Sequence, residues 1–287
     1  MSLVLLALTQ GLIFAALGAS VRLQYSLFRG FDVAIAPIAV VAGETFLLTT
    51  RLFPKSTLLA LVVCTAVSIA TGIVLAVVWN AVVDRLWPDR LVLGSGIFIL
   101  SLGFSTFVTG AVGLGRGPGL RLPPWDMPSW AFGNANFGIP TAYGFILALA
   151  ACSGLIIWSR TRLGFAFDLW AQNQVFATEI GISRRMLLIG TGVSTGTLAG
   201  VAGAYGALAN GSTPEGGLTL FLYGAGAALL LPKPLLLSSL QGGLVLGILL
   251  VVAQLLISPS LATVVVFGAV AFALLLRGTS RISQGLR

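Results

Sequence analysis

Hydrophobic positions fall into long unbroken blocks, not into the alternating or striped patterns of soluble elements. Charge-free runs cover Ser2 to Val21, Thr57 to Val83, Leu91 to Gly115, Phe137 to Ser159, Met186 to Ala209, Leu235 to Ile257 and Leu261 to Leu276. Each approaches the ~20 residues that a helix needs to cross a hydrocarbon core. Two more blocks are imperfect. Val33 to Thr50 contains Pro37 and Glu44, and Leu218 to Leu231 is short and holds Gly224 and Gly226. The pattern predicts an all-α, polytopic transmembrane bundle of nine segments, within a range of eight to ten spans, with at least one broken or short helix. Pro37 is placed to break the second segment.

Polar residues concentrate between two of these runs. Arg160 to Arg185 carries four Arg, one Asp, one Glu and a cluster of side-chain amides. From Phe165 to Ile182 there is no Pro, no Gly before Gly181, and apolar residues stand at Phe165, Leu169, Phe176 and Ile180. That spacing predicts one short amphipathic helix outside the bilayer, ended by Gly181. The other reading of such a stretch is an ordinary solvated connector.

Composition agrees with the blocks. Hydrophobic residues make up 57% of 287 and charged ones 8%, with mean hydropathy +1.03, far from the roughly 25% charged usage of soluble domains. Residues 1–287 are expected to form a single transmembrane domain. The net charge of +8 does not point to nucleic acid, because the cations sit in short loops without an aromatic platform. They report topology instead. With 160–185 in the cytoplasm, twelve of the 16 Lys and Arg lie inside, leaving Arg51, Lys55, Arg116 and Arg121 outside. Ser2 to Val21 lacks the flanks of a cleaved signal and is kept as a first span. Trp125 and Trp130, in the external 116–136 loop, suit an interfacial belt. Cys64 and Cys152 fall inside apolar runs and read as small apolar side chains.

Gly192, Gly196 and Gly200 repeat at four-residue spacing, a flat stripe on which another backbone can pack within the bundle. Catalytic chemistry is sparse. The chain has no His, no metal-ligand spacing and no Gly-rich loop before either Lys, so neither metal binding nor ATP hydrolysis by this polypeptide is expected. Two acids stand out. Glu44 lies about 16 Å along a helix from Val33, where an unpaired charge costs about 2.5–3.5 kcal/mol. It is expected either to face a water-filled path with Asp32 and Pro37 or to sit at an interface.

Three stretches carry a resemblance. FDLWAQNQVFATEIGISRRM, RGFDVAIAPIAVVAGE and RLVLGSGIFILSLGFSTFV together resemble permeases of the branched-chain amino-acid ABC importer family and the related ribose-type permeases. Two positions differ from that pattern: Ala42 stands at the family's His, and Leu230 to Lys233 replaces a Gly-Gly-x-Gly stretch. The resemblance implies a bacterial-type inner-membrane permease that pairs with a second, identical or homologous permease, two cytoplasmic ATPases that bind the ATP, and an extracytoplasmic solute-binding protein. It makes 160–185 the coupling segment, with Gly164, Ala166, Ala171, Gln172, Asn173, Ala177, Glu179, Gly181 and Ile182 as ATPase-coupling positions. The expected cargo is a small polar solute, an amino acid first and a sugar, amide or nucleoside after it. An ion-coupled secondary transporter using Glu44 and Asp32 is the competing function, and a non-transporting scaffold a third.

Overall fold

A computed structural model of the chain describes residues 2–28, 30–53, 56–86, 90–117, 119–122, 129–132, 135–231, 236–257 and 261–273. Lys55, Lys233, Trp125 and the cations at 277, 281 and 287 lie outside the described residues, as does the side chain of Trp130. Every apolar block is helical: α1 Ser2–Phe28, α2 Ile35–Leu52, α3 Thr57–Leu86, α4 Arg90–Arg116, α5 Ile139–Ser159, α8 Arg184–Asn210, α9 Gly216–Leu230 and α10 Leu236–Leu256, followed by α11 Leu261–Ala273. Among the described residues seven helices are long and apolar enough to cross a membrane, and α9 and α11 are shorter. The stretch between α4 and α5 adds a hairpin, Ser129–Phe132 paired antiparallel with Ala135–Gly138.

Pro37 does not break α2. It lies in the first turn, where its missing N–H has no intrahelical partner to lose, so α2 starts there and runs on intact.

The layout is a core of α1, α2 and α8, most of whose span surface is buried, wrapped by α3, α4 and α5, which bury less than a third of theirs. Helices facing lipid can be apolar all round, whereas the central ones carry hydroxyls inward. Thr9 Oγ1 donates within α1 to Leu5 O (2.8 Å) and Thr191 Oγ1 within α8 to Leu187 O (2.9 Å), and on α3 the buried Ser68 Oγ donates to Cys64 O (2.7 Å). Such bonds keep those hydroxyls from being bare in hydrocarbon, whereas Gln10 Oε1, Gln24 Oε1 and Thr195 Oγ1 on α1 and α8 are buried with no hydrogen-bond partner among the described residues.

Glycine decides how close the helices come. Gly192, Gly196 and Gly200 face α3, and a Cβ on Gly196 would stand 2.5 Å from Ser68 O and 2.7 Å from the Ile69 Cα. Gly243 and Gly247 bring α10 onto Gly11 and Ala15 of α1 in the same way. Gly154 on α5 has open space around its Cβ position. Gly196→Leu is therefore expected to lower stability by about 1–3 kcal/mol, the cost of overpacking, and Gly154→Leu to change it little. Thermal unfolding in detergent checks the pair.

Candidate functional site

The polar segment folds as two helices, not the single one that its periodicity predicts: α6 Arg162–Gln172 and α7 Gln174–Glu179. Asn173 makes the break. Its extended backbone ends α6, and its side-chain Oδ1 accepts from Phe176 N (3.1 Å) to start α7, the local competition with helix that Asn offers. Thr161 and Ser183 cap α6 and α8 likewise, through Gly164 N and Met186 N. Gly181, at φ +86°, turns the chain after α7, a conformation that suits glycine.

The segment is fastened to the bundle by one face. Gly164, Ala166, Phe167, Trp170 and Ala177 are buried, the Phe167 ring lies 5.2 Å from that of Trp158, and α6 packs on α1, α5 and α8. The half-buried Asp168 carboxyl is pushed up from its ordinary value by that burial. The sequence-derived coupling positions thus divide. Gly164, Ala166 and Ala177 face the bundle, Ala171 and Ile182 are half-buried, and Gln172, Asn173, Glu179 and Gly181 face out. Alongside the outward set stand Phe165 (64% exposed), Val175 (62%), Phe176 (48%) and Ile180 (50%). Periodicity picks out Phe165, Phe176 and Ile180 as one apolar stripe but assigns that stripe no partner, and it passes over Val175.

At the other end of α8, about 40 Å away for 27 residues, is a cavity of about 400 Å³ between α1, α2, α8, α9 and α10. Gln10 and Phe14, Gly43, Tyr205, Thr219 and Tyr223, and Gln254 line it, with Leu120 and the 211–213 turn at its rim. Phe14 stacks on Tyr223 at 4.4 Å between centroids, and the Tyr223 hydroxyl lies 3.0 Å from Thr263 Oγ1.

Glu44 stands beside this chamber without lining it. Its Oε1 accepts from Ser212 Oγ (2.9 Å), and its other oxygen is ion-paired with Arg116 at the end of α4. Arg121 and Ser212 exchange backbone hydrogen bonds of 3.1 and 2.9 Å, and Arg121 donates to Arg116 O (2.9 Å). A strap of α2, the post-α4 loop and the α8–α9 turn results. Sequence distance hides it, since Glu44 and Ser212 are 168 positions apart.

Asp32 lies at the start of α2 and away from the chamber. It is buried, and its Oδ1 accepts from Ala34 N (2.9 Å) and Trp79 Nε1 (3.3 Å). Burial, partly offset by those bonds and one with Ser101, pushes its carboxyl up to about 6. Arg22 also escapes sequence reasoning as anything but a topology cation. It reaches across to the end of the short α9, donating to Ala228 O (3.0 Å from Nε) and Leu231 O (2.7 Å from Nη2). Those carbonyls have no helical partners, and a cation is favoured at that helix end.

The described chain thus pairs an exposed segment, fixed to the bundle between two spans, with a chamber at the far end of α8. Its sequence matches the family described as branched-chain amino acid transport system / permease component over residues 3–276. The chain belongs to that family. No curated protein matches it. As a member it is a multi-pass membrane protein and the permease part of a transport system, which works with other subunits.

Two outcomes follow from the acids. Arg116→Ala strands the Glu44 carboxylate and is expected to cost about 2 kcal/mol, below the roughly 3–5 kcal/mol of a fully buried pair because Arg116 is partly solvated; Glu44→Gln combined with Arg116→Leu should restore most of it in a denaturation series. For Asp32, the folded value lies above the unfolded one, so its contribution is present at acid pH and is lost as pH rises through about 6. Asp32→Asn keeps the acceptor and removes the charge, so its melting temperature relative to wild type should rise between about pH 4 and about pH 7.

Proposed function

We propose that this chain is the permease of an ATP-driven importer in a bacterial-type inner membrane. Two permeases, identical or homologous, form the membrane unit. Two cytoplasmic ATPases seat on α6–α7, and an extracytoplasmic binding protein delivers a small polar solute to the chamber end. The permease is not an enzyme and takes no cofactor of its own, the ATP being held by the partner subunits.

The observation that carries this reading is the exposed row Phe165, Val175, Phe176 and Ile180 on an otherwise polar segment. Large apolar side chains grouped on a water-facing surface and rimmed by polar ones mark a protein contact. Because the opposite face is wedged into the bundle by Phe167 and Trp170, a push on that row moves α6 as a body. α8 continues from it as a stiff rod to the chamber, so nucleotide-driven closure of the ATPases would rock the spans there. Ion coupling through Glu44 and Asp32 asks for acids that are free to bind and release. Glu44 is paired with Arg116 and Ser212, and Asp32 is bonded to Ala34 and Trp79.

Phe176→Asp with Ile180→Asp is expected to abolish co-purification of the ATPases while membrane insertion and melting temperature stay unchanged. Ala177→Arg, at a fully buried position, should lower the melting temperature as well. Retained association of the double Asp variant would overturn the assignment.

A further inference from the structure

We infer that the ends of α5 and α8 beside the handle form a seat for an anionic phospholipid, its headgroup held by Arg160, Arg162 and Arg185 and its acyl chains lying along the two spans. Nothing in this seat depends on which subunits the permease works with.

The two span ends meet in space. The apolar stretches are Thr141–Ser159 and Arg184–Ala209, so Arg160 is the first residue past one span and Arg185 stands in the first turn of the other. α6 folds straight back from α5: Thr161 N donates to Trp158 O (2.9 Å), and a Cβ on Gly164 would stand 2.6 Å from that same oxygen. From there Phe167 and Leu163 reach α8, their side chains 3.4 and 4.0 Å from the Cβ position of Gly190. Gly190 lies about 7.5 Å along the helix from Arg185. Arg162, next to Leu163, and Arg185 therefore share one membrane boundary.

These cations are left over. All three are exposed, and neither of the segment's two acids, Asp168 and Glu179, is ion-paired with them among the described residues. Cations elsewhere are used up or stand singly. Arg22 is bonded to the carbonyls ending α9, Arg116 to Glu44, and Arg121 to the Arg116 carbonyl. Arg85 is exposed at the end of α3, but Asp84 and Asp89 stand near it in the sequence.

Apolar surface continues from the arginines into the spans. Ile157, one turn before Arg160, is 67% exposed, and Met186 and Ile189, on the first turns of α8 after Arg185, are 49% and 50% exposed. An anionic headgroup at the water boundary with acyl chains above it matches that order, each cation near an anionic lipid being worth about fivefold in binding. An acidic protein segment would match the charge alone, because Ile157 and Ile189 lie inside the apolar stretches.

Native mass spectrometry of the full chain in neutral detergent reads the adducts formed with phosphatidylglycerol and with phosphatidylcholine. The first phosphatidylglycerol is expected to bind about tenfold or more tighter than phosphatidylcholine. That preference should shrink as ammonium acetate rises from about 0.1 M to about 0.5 M. Arg160→Gln with Arg162→Gln and Arg185→Gln should bring the two lipids to within about twofold, whereas Arg85→Gln should leave the preference as it is. Phe176→Asp with Ile180→Asp, which removes the proposed ATPase contact, should leave it as well, so the two readings fail separately. No preference in the wild type, a preference indifferent to salt, or one lost in Arg85→Gln overturns the inference. So does a preference undiminished in the triple Gln variant with its melting temperature kept, above all if that variant loses the ATPases, which would give the arginines to a protein contact. If the triple variant does not fold, the wild-type salt series decides.

Discussion

Apolar helices gain nothing in lipid by hiding from water, so what holds α8 on α3 and α10 on α1 is dispersion between backbones that glycine allows to touch. Gly196 against Ser68 and Ile69, and Gly243 against Gly11 and Ala15, are points where backbones meet with no room for a Cβ. A side chain at either would push two helices apart along their whole length. The central position of α1, α2 and α8 follows, because these are the helices on which such contacts converge.

That packing has a functional consequence at each end of α8. A helix locked along its middle behaves as a rigid element, and rigid elements carry displacement between distant sites. One end is joined to α6–α7, whose inner face is a packed wedge of Phe167, Trp170 and Ala177. The other reaches the chamber and the strap that ties Glu44, Arg116, Ser212 and Arg121 together. Charges survive in this bundle where they are used up locally. Glu44 has Arg116, Arg22 has the carbonyl end of α9, and Asp32 has the Ala34 amide and the Trp79 indole N–H. Each of these holds an element in place.

The short α9 is the clearest departure from a simple bundle of crossing helices. Fifteen residues leave its ends inside the protein's own polar surroundings, with Arg22 at one end and the Thr213 turn at the other. Irregular backbone at membrane depth is tolerated where protein or water satisfies it. Its first turns then become chamber wall, which is why Thr219 and Tyr223 face solute-sized space.

Hydrophobic block length by itself determined the type and order of the apolar helices, because crossing hydrocarbon demands a fixed run of apolar residues and satisfies every backbone group internally; of the eight to ten expected spans, seven among the described residues are long enough to cross. Composition likewise marked Arg160 to Arg185 as the polar handle, and the glycine spacing on α8 marked a packing face. The tertiary structure decided what a linear pattern cannot hold. A 3.6-residue period names two faces of the handle, and only the neighbouring α1, α5 and α8 turned Ala166 and Ala177 inward and Phe165 and Phe176 outward. Asn173 split the handle through one side-chain hydrogen bond that competes with propensity too evenly to be read from sequence. The chamber and its strap were invisible for the same reason: Gln10, Gly43, Ser212, Thr219 and Gln254 lie on different helices, and which side chains share a cavity depends on how the glycine faces register those helices against one another.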